Sequence, residues 1–69
     1  MNAKDELLKS LFPQIINHFA SLKDMTLEES SDIFFKSTTY VKLCSDDDFY
    51  SKGIDYIVNE LENEYLRFN

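Results

Sequence analysis

The sequence predicts an all-α fold, a small bundle of three to four helices that forms one domain over residues 1–69. Hydrophobic residues make up 43% of the chain, which is typical of globular proteins. One Gly and one Pro leave little turn chemistry for a multi-stranded sheet, because hairpins use Gly or Asn at positive backbone angles. The apolar residues recur at helical spacing, and a chain of this length encloses a single core.

The first predicted helix runs from about Ala3 to Leu22. Its apolar residues fall within about half of a helical wheel, and they are Leu7, Leu8, Leu11, Phe12, Ile15, Ile16, Phe19 and Leu22. The apolar phase is the same on both sides of Pro13, which favours one long helix with a kink there. A break near Phe12 is the competing interpretation, because the residue before a proline disfavours helical angles.

The second predicted helix begins at Leu27, after the capping box of Thr26 and Glu29. It runs to about Lys36. The pattern places Leu27, Ile33 and Phe34 inward, and it leaves Phe35 to serve a neighbouring surface.

The segment Thr38 to Leu43 has strand-like composition, but a single strand has no partner for its backbone groups. We therefore expect a short third helix, capped at Ser37 or Thr38, with Tyr40, Leu43 and Cys44 on one face. The polar run Ser45 to Asp48 ends it. A strand here implies pairing across a dimer instead.

The last predicted helix extends from Gly53 to the end of the chain. Its apolar stripe consists of Ile54, Ile57, Val58, Leu61, Tyr65 and Phe68. Tyr56 and Leu66 fall outside this stripe, so they are available either to the first helix or to a partner.

The net charge of −6 limits the classes of partner. Thirteen acidic residues against seven Lys and Arg repel the phosphates of nucleic acids and anionic membranes. We therefore expect no direct nucleic-acid partner and no membrane partner. The lone Cys44 excludes an internal disulfide, which favours a cytoplasmic location.

The sequence contains few residues that point to catalysis or to metal binding, so no enzyme activity, cofactor or metal site is expected. His18 is predicted to be a partly covered surface histidine, and Cys44 a small buried core residue. Asp46 to Asp48 is predicted to be a solvated loop whose last Asp caps a turn. A calcium loop needs a Glu at its twelfth position, where this chain has Ile57.

The aromatic residues are the strongest candidates for a binding role. Six Phe and four Tyr in 69 residues exceed what a minimal core easily encloses. Tyr is amphipathic and loses little rotamer entropy, so it recurs at binding hot spots. The candidate partner-binding residues are Phe35, Tyr40, Phe49, Tyr50 and Tyr56.

The pattern from Met25 onward covers about two thirds of the 69 residues and resembles a known family. It comprises the run Met25 to Glu29, then Phe34, Ser37, Tyr40, Leu43 and Tyr50, and finally Gly53 to Ile57 before an acidic helix. It resembles a family of small bacterial helical proteins, a domain of unknown function, whose members look like partners encoded near putative ADP-ribosyltransferase-like toxin genes. The resemblance implies an accessory or antitoxin-like binding role and carries over no catalytic residue.

The leading interpretation is a noncatalytic protein–protein interaction module of bacterial or mobile-element origin. Two alternatives stay open. One is an inhibitor that imitates nucleic acid on a basic enzyme with carboxylates from Asp46 to Asp48 and from Glu60, Glu62 and Glu64. The other is a self-associating domain that buries its surplus aromatic surface in a homodimer.

Overall fold

Helices account for most of residues 3–46 and 48–68, which are the residues that the computed structural model describes. These residues form α1 (Ala3–Lys23), α2 (Leu27–Phe35), α3 (Thr38–Ser45), a 3₁₀ helix (Tyr50–Lys52) and α4 (Ile54–Phe68). No strand occurs among them, so the predicted all-α fold is confirmed. None of the described helices has the length and apolar content needed to cross a membrane.

Helix α1 continues through Pro13 without interruption, so the predicted break near Phe12 is wrong and the predicted kink is not confirmed. Pro13 has no amide hydrogen and cannot donate to the carbonyl four residues earlier. Because Pro13 lies on the exposed side of α1, water can take the place of that donor. On the opposite side, Ile15 and Phe19 are fully buried, which holds the helix against the core.

The predicted capping box at the start of α2 is confirmed in its first half. The Thr26 hydroxyl accepts a hydrogen bond from the Glu29 amide at 3.1 Å and donates to the Glu29 carboxylate at 3.1 Å. The predicted burial of Leu27 is wrong, because this side chain is 56% exposed. Leu27 is the first residue of the helix, and Met25, just before it, packs against the core instead.

The side of α2 that faces α1 carries a small polar residue, Ser30. Its side chain is fully buried, and its hydroxyl donates to the carbonyl of Ile16 at 2.7 Å. A serine here lets the two helices approach closely while its polar atom keeps a partner. Among the described residues that are not exposed, no buried side-chain nitrogen or oxygen lacks a hydrogen bond.

The segment from Thr38 to Leu43 is helical, which excludes the strand alternative for this chain. Ser37 caps α3: its hydroxyl accepts from the amide of Tyr40 at 3.1 Å and donates to the carbonyl of Phe34 at 2.6 Å. One hydroxyl therefore joins the end of α2 to the start of α3. Leu43 is fully buried, but Cys44 is exposed, so the prediction of a buried cysteine is wrong.

A carboxylate from α4 completes the cap of α3. The two oxygens of Glu64 accept hydrogen bonds from the amides of Thr38 and Thr39 at 2.7 and 3.0 Å, and the Thr39 hydroxyl adds a third at 2.9 Å. Burial of the carboxyl raises the pKa of Glu64, but these hydrogen bonds outweigh that effect and hold the pKa below its ordinary value. The contact fixes α4 to α3.

The turn after α3 is capped by the side chain of Asp46, whereas the sequence predicted that Asp48 would cap it. The Asp46 carboxylate accepts from the amide of Asp48 at 3.0 Å. Asp47 lies outside the described residues. Gly53 then adopts a φ of +98°, a conformation that side chains disfavour, and this lets the chain turn into α4.

The core is built from the inward faces of α1 to α4 together with Phe49. Its buried members are Leu8, Ile15, Phe19, Phe34, Leu43, Phe49, Ile57, Val58 and Leu61. The predicted inward stripe of α4 is confirmed for its central residues, whereas the side chain of Phe68 lies outside the described part. At the core's edge, Lys23 pairs with Glu62 at 2.6 Å and lies 5.9 Å from the centre of the Tyr65 ring.

The Glu64 contact predicts a pH-dependent contribution to stability. Because the pKa is lower in the folded state, this contribution is complete above the pKa of the unfolded chain, about 4.3, and is lost as the pH falls through the folded-state value. We expect Glu64→Gln to lower the free energy of unfolding by about 1 kcal/mol at pH 7, as for loss of a helix cap at a partly exposed site.

Urea unfolding from pH 7 down to pH 3 measures this effect. The difference between wild type and Glu64→Gln should shrink as the pH falls. Glu60→Gln, one turn earlier on α4, removes the same charge without touching the cap and is the matched control. Equal losses in the two variants, or a difference independent of pH, would contradict the assignment.

Candidate functional site

Four aromatic side chains from α1, α2 and α3 meet in one group, which we call the aromatic cluster: Phe12, Phe34, Phe35 and Tyr40. Each ring contacts the other three, with centroids 5.0 to 5.8 Å apart and ring planes inclined by 60 to 86°. Edge-to-face pairs of this kind contribute about 0.5–1.5 kcal/mol beyond area burial. The rings therefore restrain one another from three helices.

Exposure differs sharply within the aromatic cluster. Phe34 is fully buried, whereas its neighbour Phe35 is 44% exposed. Phe12 and Tyr40 are partly buried and pack against the core. We call the solvent-facing members, Phe12, Phe35 and Tyr40, the aromatic face. A buried ring thus anchors three rings that present surface to solvent.

A shallow hollow lies on the outer side of α2, next to the aromatic face. We call it the α2 hollow, and its lining residues are Thr26, Glu28, Glu29, Ser31, Asp32 and Phe35. Glu28, Asp32 and Phe35 are one helical turn apart in succession, so they follow one another along a line on the surface. The hollow therefore has carboxylates along its length and an aromatic ring at one end.

Two of the three carboxylates of the α2 hollow, those of Glu28 and Asp32, are weakly engaged by the rest of the chain. Asp32 pairs with Lys36 at 3.2 Å, and both side chains are largely exposed, so the pair contributes little. Within the described part of the chain, Glu28 makes no ion pair. Both carboxylates are consequently available to a cation from outside.

A second hollow lies between α1 and α3, and it shares two rings with the aromatic face. We call it the α1–α3 hollow, and it is lined by Leu8, Lys9, Phe12, Tyr40 and Cys44. Because Phe35 contacts both Phe12 and Tyr40, the rings join the two hollows. Together they form one surface that is acidic along α2 and mainly apolar between α1 and α3.

Tyr40 has its hydroxyl next to Cys44, one turn later on α3. Repulsion from the Cys44 sulfur raises the pKa of the Tyr40 phenol, and the hydrogen bond between the two side chains and burial add to the effect. A phenol is protonated at neutral pH even at its ordinary pKa of about 10, and the direction of this shift keeps it so. It is a polar but uncharged group on an aromatic surface, which suits contact with another protein.

The structure brings together only part of the predicted binding set. Phe35 and Tyr40 lie side by side on the aromatic face. Phe49 belongs to the core, with 4% of its side chain exposed, so it offers no binding surface. Tyr50 is partly buried in the 3₁₀ helix, and Tyr56 is 43% exposed.

Tyr56 belongs to a separate group. Its ring contacts the ring of Phe49 at 5.8 Å, and the Lys52 ammonium lies 5.3 Å from its centre. Among the described residues, these contacts do not extend to the aromatic cluster. The predicted surface from Phe35 to Tyr56 is thus divided into two groups.

Sequence reasoning missed Phe12 as a member of the site. Phe12 matched the apolar stripe of α1, and nothing in a one-dimensional pattern shows which helices will lie beside it. The alignment of Glu28 and Asp32 with Phe35 could have been predicted from the sequence, because the three residues have the spacing i, i+4 and i+7 of one helix face. Only the packing of α1, α2 and α3 shows that this line ends at a ring cluster.

The groups that were considered for catalysis lie apart from the aromatic cluster or at its edge. His18 is exposed on α1, beside Gln14 and Leu22. Cys44 lies at the edge of the α1–α3 hollow. Among the described residues, no group of three or more His, Cys, Asp or Glu is placed to hold a metal ion. The aromatic face is a restrained apolar surface with carboxylates beside it.

Comparison of the chain with known protein families, with curated proteins and with solved structures finds no match. The resemblance in the segment after Met25 therefore stays a prediction.

Adjacent residues of the aromatic cluster should differ in their effect on stability. Phe34→Ala leaves a cavity at a fully buried site and should lower the free energy of unfolding by about 3–5 kcal/mol. Phe35→Ala removes a ring that is already 44% exposed, so we expect a loss of about 1 kcal/mol. Urea titration with circular dichroism measures both. Equal losses would show that Phe35 serves the fold as much as Phe34 does.

Proposed function

We propose that the protein is a noncatalytic protein–protein interaction module and that the aromatic face is its contact surface. The observation that carries this proposal is the state of Phe35, which is 44% exposed although three other rings hold it in place. Aromatic side chains are enriched at interface hot spots. A ring that is already restrained loses little entropy when a partner covers it, so less of the free energy of its burial is offset by ordering.

The charge of the chain supports a protein partner over an anionic one. The net charge is −6, and the α2 hollow adds carboxylates next to the exposed ring. A nucleic-acid backbone or an anionic lipid surface would be repelled at this site. A protein with a basic surface would be attracted.

The resemblance of the segment after Met25 supports a more specific role. In that reading the protein is the accessory or antitoxin-like partner of a neighbouring gene product, in a bacterium or a mobile element. Such a role requires a stoichiometric complex and no catalytic residue. We place the complex in the cytoplasm, where the exposed Cys44 would be kept reduced.

The alternative of nucleic-acid imitation receives less support from the geometry. Imitation needs a row of carboxylates free to meet a basic groove. Glu62 is paired with Lys23, and Glu64 caps α3. Asp46 is used within its own turn. Three of the six candidate carboxylates are therefore engaged within the fold.

Site-specific photo-crosslinking tests the proposed surface. The substitution Phe35→p-benzoylphenylalanine puts a photoreactive group on the aromatic face, and the same substitution at Leu22, 50% exposed on α1, is the matched control. The variants are produced in the organism that encodes the chain, irradiated and analysed by mass. We expect a discrete one-to-one adduct with another polypeptide from position 35 and none from position 22.

The partner identified in this way is then purified and titrated against defined variants. Phe35→Ala should weaken the complex by about tenfold or more, as for a hot-spot residue, whereas Leu22→Ala should leave affinity unchanged. Adducts with twice the mass of the chain would show that the chain associates with itself and would contradict a distinct partner. Identical adducts from both positions, or none from position 35, would overturn the proposed surface.

A further inference from the structure

We propose that the aromatic face binds an arginine-bearing segment of the partner, with one guanidinium stacked on the Phe35 ring and held by the carboxylate of Asp32, and a second basic residue of the segment held by Glu28. This inference rests on the proposed function and names the chemistry of the partner at the same surface. It is carried by the arrangement of the α2 hollow, in which one exposed ring and two weakly engaged carboxylates share a line along one helix.

The spacing of the line suits successive contacts. Residues three or four positions apart on a helix have their Cβ atoms about 5–6 Å apart. A guanidinium over Phe35 therefore lies within reach of Asp32, the residue one turn before it. Glu28, one turn further, is placed to meet a second cation of the same segment. A segment with several basic residues fits this line better than a single charge does.

Arginine suits the site better than lysine for two reasons. Its guanidinium is planar and stacks on aromatic faces, and it can donate two parallel hydrogen bonds to a carboxylate. A lysine ammonium is a compact, strongly hydrated point charge and gains less from the ring. The combination of a flat exposed ring with neighbouring carboxylates therefore favours arginine.

The existing contacts do not compete strongly with such a segment. The pair of Asp32 with Lys36 is solvent-exposed, and exposed pairs contribute little. An incoming guanidinium can replace that lysine. Beyond Phe35, the α1–α3 hollow offers Phe12 and Tyr40 to the apolar residues of the same segment. The surface thus has an acidic part along α2 that favours basic residues and an apolar part between α1 and α3.

A second copy of the chain is a poorer occupant of this surface. Each copy carries thirteen acidic residues against seven Lys and Arg, so two copies repel one another. Arg67, near the end of α4, is the one arginine in the sequence. Charge complementarity therefore points to a different, basic polypeptide.

Synthetic peptides of defined composition test the inference. The probe is a fluorescent amphipathic helical peptide with leucines on one face and three arginines at positions i, i+4 and i+7. The matched peptides carry lysine, or citrulline, which keeps the planar shape of arginine without its charge. Anisotropy at low and high salt gives the dissociation constants. We expect the arginine peptide to bind about tenfold tighter than the citrulline peptide, with lysine between them.

Matched protein variants locate the contact. Glu28→Gln with Asp32→Asn should weaken binding of the arginine peptide by about tenfold. Glu6→Gln with Asp55→Asn makes the same change in net charge at exposed sites on α1 and α4 and should leave affinity nearly unchanged. Phe35→Leu keeps an apolar side chain without the ring and should reduce the preference for arginine over lysine. Circular dichroism verifies that each variant is folded.

The outcomes separate this inference from the proposed function. Equal affinities for the arginine and citrulline peptides, or no binding of either, would overturn the arginine assignment. Equal losses in the two charge variants would overturn it as well, because they would show that the overall negative charge of the protein attracts the peptide, with no specific contact at Glu28 and Asp32. If crosslinking at position 35 succeeds in any of these cases, the protein-binding surface stands. If it also fails, both proposals fall.

Discussion

The burial of Phe34 is the constraint on which both the fold and the candidate site depend. Its ring is fully enclosed, and it contacts one ring from α1, one from α2 and one from α3. A domain of about this length buries only about 60% of the surface of its unfolded chain, so each large buried side chain carries a large share of its stability. Phe34 also fixes the three rings of the aromatic face. The same contact that closes the core thereby builds a rigid surface.

Helix ends impose the second constraint, because each leaves backbone groups that need partners. The chain meets it with contacts that also join elements. Ser37 links the end of α2 to the start of α3, and Glu64 reaches from α4 to the first amides of α3. The short α3 is therefore held by polar contacts at its N-terminus and by the buried Leu43 further along. These contacts set the position of Tyr40 relative to Phe35.

The helices themselves could be predicted from the sequence, because the spacing of apolar residues and the caps at Thr26 and Ser37 are local signals. Burial at individual positions was harder to predict. Leu27 and Cys44 have apolar character and fit the inward pattern, yet both are exposed. The position of Phe12 in the site and the reach of Glu64 depend on helix packing. Such packing depends on contacts distant in sequence, which periodicity does not encode.

In the proposed complex, the acidic charge and the aromatic face would act at different distances, which would make a small surface selective. The net charge of −6 acts over a screening length of about 8 Å at physiological salt, so it raises the encounter rate with basic proteins without choosing among them. The ring of Phe35 acts only in contact, where its fixed position favours slow dissociation. Glu28 and Asp32 belong to both stages, since they add to the long-range field and lie beside the ring. Under the proposed function, a partner would have to match charge and shape together at Glu28, Asp32 and Phe35, which is a stricter requirement than either feature imposes alone.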